Sequence, residues 1–108
     1  MIYPIRITKA ARRDLEEIYR WIAENDSPEK AGYVLDRLGE VSKSIAAFPH
    51  RGSRPKELPA RIGADYRQVF FKPYRLIYEV SRNGVVIHLI ADGRRNMQGL
   101  LMRRLTGG

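Results

Sequence analysis

The chain has 108 residues, 44% of them hydrophobic, no cysteine, and a net charge of +8 at pH 7. That length suits one domain with one core, spanning 1–108, and the apolar content is enough for the chain to fold. The lack of cysteine excludes disulfides, thiolate metal sites and a cysteine nucleophile and fits a reducing, cytoplasmic setting; residues 1–15 hold no long apolar run and meet charge at Arg6, so neither a signal peptide nor a membrane span is expected there.

Residues 2–8 alternate, with Tyr3, Ile5 and Ile7 on one side, and read as a first strand that Pro4 restricts to a sheet edge or a bulge. Thr8 stands where it can cap a helix with apolar positions Ala11, Leu15, Ile18 and Ile22, ending near Asn25. Ser27-Pro28 then supplies an N-cap followed by proline at the first helical position. The second stripe is Ala31, Val34, Leu35, Leu38, Val41, Ile45 and Phe48, closed by Pro49. Two amphipathic helices with so short a link form a hairpin that lays both stripes on one sheet.

Residues 49–65 are rich in Pro, Gly and Arg and read as a loop, either functional or pinned by contacts. Strands are expected at 66–71, 74–80 and 85–91, the last apolar almost throughout and therefore central. Asn83-Gly84 signals a two-residue type I′ hairpin loop. That loop sets Val80 opposite Ile87, Tyr78 opposite Leu89 and Leu76 opposite Ala91 on a face under the helices. On the other face Glu79 meets His88, Ile77 meets Ile90 and Arg75 meets Asp92: either ordinary cross-strand pairs, with Arg75 and Asp92 as an ion pair, or an open surface that offers Arg75 to phosphate. A last amphipathic segment, 96–105, is weakened by Gly99 and expected to be short and mobile. The fold class is α+β in the order β-α-α-β-β-β-α, with a helical hairpin on a small, mainly antiparallel sheet.

The charge is unevenly spread. Residues 1–50 carry eight Lys/Arg against eight Asp/Glu, whereas residues 51–108 carry twelve against four, ten of the twelve being arginine. Arginine forks match phosphate and carboxylate, so a basic half of this kind points to an acidic macromolecular partner. Basic and aromatic residues interleave from Tyr66 to Arg75, a pattern that stacks bases or simply alternates core and surface. Arg94, Arg95, Arg103 and Arg104 cluster toward one chain end. No phosphate loop, dinucleotide fingerprint, zinc spacing or hydrolase elbow occurs, so no cofactor or metal is expected. His50 and His88 form a catalytic pair only if the fold brings a loop and a strand together.

The element order, together with Thr8-Lys9-Ala10-Ala11-Arg12-Arg13-Asp14-Leu15, His50-Arg51-Gly52, Tyr74-Arg75-Leu76-Ile77-Tyr78-Glu79-Val80 and Gly93-Arg94-Arg95, resembles the RelE/ParE superfamily of bacterial type II toxins over nearly the whole chain. The resemblance implies a growth inhibitor of a plasmid-stabilisation module, neutralised by a cognate acidic antitoxin with which it would form a hetero-oligomer. RelE-like members cut mRNA on the ribosome without metal, and Arg75 and Arg95 match their two arginines. Their lysine positions fall near Tyr66 and Gln68 and their tyrosine on Leu101, which removes the general base and acid. ParE-like members poison DNA gyrase and need no catalytic set. The Arg-Gly loop and the Pro-Tyr-Arg strand look more ParE-like. The favoured expectation is therefore a gyrase inhibitor binding its target through Arg94, Arg95, Arg103 and Arg104. A ribosome-dependent mRNA nuclease using Arg75 and Arg95, or a plain nucleic-acid-binding module, stands as the alternative.

Overall fold

The computed structural model describes residues 2–106. Strand β1 (Ile5–Ile7) leads into helices α1 (Lys9–Asn25) and α2 (Pro28–Ala47), a single 3-10 turn at Pro49–Arg51, strands β2 (Asp65–Phe71), β3 (Tyr74–Ser81) and β4 (Gly84–Asp92), and helix α3 (Met97–Thr106). The expected order of elements is the observed one. Thr8 caps α1, its hydroxyl accepting from Ala11 N–H at 3.1 Å, and Ser27 caps α2, accepting from Lys30 N–H at 3.0 Å. Among the described residues no helix is long and apolar enough to cross a membrane.

The sheet runs β1-β4-β3-β2, with β1 parallel to β4 and the other pairs antiparallel. β1 is an edge strand, as Pro4 requires, and β4 is central. The helical hairpin covers one face: Ala11, Ile22, Ala31, Val34, Leu38 and Ile45 pack on Val69, Leu76, Tyr78, Val80, Val85, Ile87 and Ile90. Phe48, assigned to the α2 stripe by spacing, is instead 71% exposed, because the helix ends at Ala47 and the chain turns there.

The hairpin register differs from the expected one. The turn residues are Arg82 and Asn83, and Ser81 pairs with Gly84. Only Gly84 has positive φ, at 121°, so the turn is not type I′. Glycine is also required by space: a Cβ at position 84 would lie 2.4 Å from the carbonyl oxygen of Pro4, where Val85 N–H donates to that same oxygen. The chain entering β1 thus lies directly against the turn, where only a glycine leaves room for the Pro4 carbonyl.

A second displacement follows along β4. Tyr78 pairs with Ile87 and Ile77 with Leu89, so His88 is an extra residue, a β-bulge. The bulge reverses which face the rest of β4 serves. Ile90 joins the core under the helices, while Leu89 and Ala91 turn to the opposite face with Ile77. The pairing of Leu89 with Tyr78 and of Ala91 with Leu76 is therefore overturned. So is the expectation of an open second face: Leu58 from the long loop and Met97 and Leu101 from α3 bury it, Leu101 completely. The sheet is a middle layer between two apolar clusters of unequal size.

Candidate functional site

The expected site consists of arginines, and the structure sorts them into different environments. Arg75, on β3, is only 7% exposed. Its Nη1 and Nη2 donate to the two carboxylate oxygens of Glu57 at 2.7 and 2.8 Å, and Nε donates to Gln68 Oε1 at 2.9 Å. The guanidinium also lies over the Phe70 ring, 5.9 Å from its centroid. Arg75 thus has a partner in the loop rather than on β4, and the expected Arg75–Asp92 ion pair does not form, because the shifted register sets Asp92 opposite Tyr74. The Arg75 hydrogen bonds hold the Glu57 carboxyl below its usual range, with burial opposing them. Chemically the pair anchors the 49–65 loop to the sheet and engages the Arg75 guanidinium on both of its outer nitrogens.

The same loop is pinned at its start. Buried Tyr78 donates its hydroxyl to Pro49 O at 2.7 Å and accepts from Gly52 N–H, and burial raises its pKa. Arg67 donates to Asp65 and to the carbonyls of His50 and Gly52. At Gly52 a Cβ would stand 2.6 Å from both Gln68 O and the Tyr78 hydroxyl, which accounts for the His-Arg-Gly sequence by close backbone approach. The loop is thus held by contacts along its length, Arg54 adding a bond to Pro59 O.

His88 Nε2 lies 3.0 Å from Glu79 Oε1, the contact expected between them, although the ladder partner of Glu79 is Val86. His50 packs edge-on against Tyr3, whereas His88 packs edge-on against Tyr66, so the two imidazoles belong to separate clusters.

After β4 the chain carries Arg94 and Arg95. Arg94 forks onto Asp92, with Nε and the backbone N–H on Oδ1 at 2.9 Å and Nη2 on Oδ2 at 2.5 Å. These bonds hold the Asp92 carboxyl below its usual range against the opposing effect of burial. The Arg94 side chain is nevertheless 81% exposed. Arg95 and Arg103 are exposed, and neither has a carboxylate partner among the described residues. Arg104 is different. Its Nη1 and Nη2 donate to Asp14 Oδ2 and Oδ1 at 2.8 and 2.9 Å, and Nη1 also donates to His88 O at 2.7 Å. Of the four arginines expected to meet a target, three project outward and one ties α3 to α1 and β4.

Arg94 and Arg95 stand at the rim of a cleft of about 700 Å³. Its apolar wall is Trp21 and Tyr33 on the helical hairpin, 64% and 54% exposed, with Phe71, Pro73 and Tyr74 opposite. Lys30 and Lys72 add positive charge, and Asp14, Glu17, Asp26 and Asp92 negative charge. Burial raises the Tyr74 pKa, and the Asp92 charge adds to that effect. The cleft thus combines exposed aromatic area with four cations and four carboxylates.

Sequence reasoning missed Glu57 and Asp14 as partners. Each carried a signal: Glu57 is the single acid between residues 51 and 64, and Asp14 sits beside the apolar stripe of α1, three residues after Ala11.

Comparison with known proteins agrees with this architecture. The chain is 29% identical over 97 residues to Toxin ParE3 of Caulobacter vibrioides, covering 90% of this chain and 93% of that protein. It is 35% identical over 80 residues to Putative toxin Y4kP of Sinorhizobium fredii, covering 73% and 77%. Its fold superposes on a solved chromosomal ParDE toxin–antitoxin system from P. aeruginosa with a TM-score of 0.71 at 23% identity, covering 84% of this chain and 96% of that one. The family model for the ParE toxin of the type II toxin–antitoxin system parDE matches residues 5–97. With that match spanning β1 to the first residue of α3, the chain belongs to the ParE family of type II toxins.

Proposed function

We propose that this toxin acts in the cytoplasm as a non-enzymatic inhibitor of DNA gyrase, contacting the enzyme or its DNA through Arg94, Arg95 and Arg103. The observation that carries the reading is the division among the arginines. Arg95 and Arg103 are exposed without carboxylate partners among the described residues, whereas Arg75, which RNA cleavage would need, is occupied by Glu57 and Gln68. Exposed guanidinium groups serve long-range attraction to an anionic nucleoprotein and bidentate contact on arrival. The cognate antitoxin would silence the protein by laying an acidic, amphipathic segment in the cleft, its apolar side chains against Trp21 and Tyr33 and its carboxylates toward Arg94 and Arg95.

The test is gyrase supercoiling with purified toxin. The expected result is inhibition and trapped, cleaved DNA, both weakened in Arg95→Ala and Arg103→Ala. Unchanged supercoiling with no trapped DNA would overturn the reading. Primer extension on translated mRNA separates the competing activity: new cuts that vanish in Arg95→Ala would transfer the arginine to RNA cleavage.

A further inference from the structure

Beyond Ile87, the last residue paired with β1, the outer edge of β4 has no strand beside it among the described residues. Two side chains take the missing strand's place. Asp14 Oδ2, from α1, accepts from Ile90 N–H at 3.0 Å. Arg104, from α3, donates to His88 O at 2.7 Å. The two side chains join each other through both carboxylate oxygens. Their exposures are 12% and 21%, low enough that water competes poorly for either. The four groups form a closed set around the His88 bulge, linking α1, β4 and α3 across 90 residues of sequence.

Helix α3 has few other polar ties. Its N-terminal end is held by Asn96, whose Oδ1 accepts from Gly99 N–H at 3.1 Å, and its apolar attachment is Met97 and Leu101, with Leu100 and Leu105 half-buried. Ten residues containing a glycine do not hold a helix alone in water, so its position depends on these attachments. Arg103 is the residue next to Arg104, and Arg94 and Arg95 lie in the connection that enters the helix.

We propose that the Asp14–Arg104 pair is a latch that positions the target-contacting arginines: it fixes α3 against the vacated edge of β4, and toxicity depends on it although neither residue touches the target. The proposal rests on the reading that exposed arginines around α3 make the contact. It assigns Arg104 a positioning role distinct from that of its neighbour, and it makes Asp14 the functional acid of an otherwise basic system.

The test uses Asp14→Asn, Arg104→Met and Arg104→Lys. Asp14→Asn keeps an oxygen for Ile90 N–H but removes the charge that holds Arg104. Arg104→Lys keeps a charge within reach of Asp14 but loses the fork. Three quantities are measured: growth arrest after induction in cells, hydrogen exchange of the purified toxin by segment, and thermal melting. Asp14→Asn and Arg104→Met are expected to speed exchange in residues 97–106 by about tenfold or more, with residues 76–80 changing by less than about threefold. They are expected to relieve growth arrest, and Arg104→Lys to retain most of it. Unchanged exchange in α3 overturns the proposal, as does a loosened α3 with full growth arrest. Equal loosening of α3 and β3, or loss of folding in both Asp14→Asn and Arg104→Met, also overturns it, because the pair would then be a general part of the core. Growth arrest presumes no particular target, so a failure of the gyrase assay with wild-type toxin refutes that reading alone. Full arrest in Arg103→Ala and Arg95→Ala, with arrest lost in the latch variants, would refute the arginine contact and leave α3 itself as the element being positioned.

Discussion

Replacing Glu57 by alanine strands the Arg75 guanidinium beneath the loop that covers it. The two side chains are 9% and 14% exposed, and both carboxylate oxygens are used. Removing one partner of a buried ion pair costs about 3–5 kcal/mol. Gln68 Oε1 still accepts from Arg75 Nε, and the loop can open to admit water, so the cost falls to or just below the lower limit of that range, about 2–3 kcal/mol. For a domain of this size that corresponds to a fall in Tm of roughly 10–20 °C, measured by circular dichroism at neutral pH. Glu57→Gln, which keeps one acceptor, should lose about half as much. The sign of the pH dependence follows from the Glu57 carboxyl, whose folded pKa lies below its unfolded value because of the Arg75 hydrogen bonds. The stabilisation is complete above the ordinary carboxylate range and drains as pH falls through the folded value, so the gap between wild type and Glu57→Gln should narrow as pH falls below that range and close only beneath the folded value. Glu57→Leu combined with Arg75→Met should recover to within about 1 kcal/mol of wild type, because an apolar pair leaves no stranded charge. A Glu57→Ala melting point within about 2 °C of wild type would refute the assignment of Arg75 as a buried structural cation.

Gly84→Ala meets both a φ of 121° and the carbonyl of Pro4, and should lower stability by about 2–3 kcal/mol in urea unfolding; an unchanged midpoint would remove the close crossing of β1. Ser27→Ala and Thr8→Ala each remove a helix cap and should cost about 1 kcal/mol, adding in the double variant to within about 0.5 kcal/mol because the caps serve different helices. Leu101→Ala should cost about 2–5 kcal/mol by chemical denaturation, since the side chain is fully buried against Ile77 and Leu89; a loss under about 1 kcal/mol would mean that the second sheet face is open after all.

What could be read in advance was whatever local chemistry decides. Thr8 and Ser27-Pro28 marked helix starts because capping is settled within three residues. The stripes of α1 and α2 followed from a 3.6-residue period, and the apolar run of β4 announced a central strand. Distant residues decided the rest. The hairpin register was read from Asn83-Gly84, yet Gly84 packs directly against Pro4, eighty residues earlier in the chain and adjacent in space. The bulge at His88 carries no local signal; it is stabilised by Asp14 and Arg104, and it reassigned Leu89 and Ala91 to the opposite face. Arg75 was expected, by register, to face the acid Asp92. Its actual partner comes from a loop whose course depends on Tyr78, Arg67 and Gly52 together. The exposed arginines at 94, 95 and 103 were legible as charge, but the different role of Arg104 was not, since its partner lies 90 positions away.

β4 has apolar neighbours above and below along most of its length. For such a strand, water gives no instruction about which side faces where: sliding the chain by one position exchanges greasy residues for greasy residues. Orientation must therefore come from sparse hydrophilic markers at the rim, and here they are the carbonyl of His88 and the amide of Ile90, each claimed by one charged side chain. In this chain hydrophobicity decides that the sheet is sandwiched, while the Asp14–Arg104 pair claims the one carbonyl and one amide at the bulge that hydrophobicity leaves undistinguished.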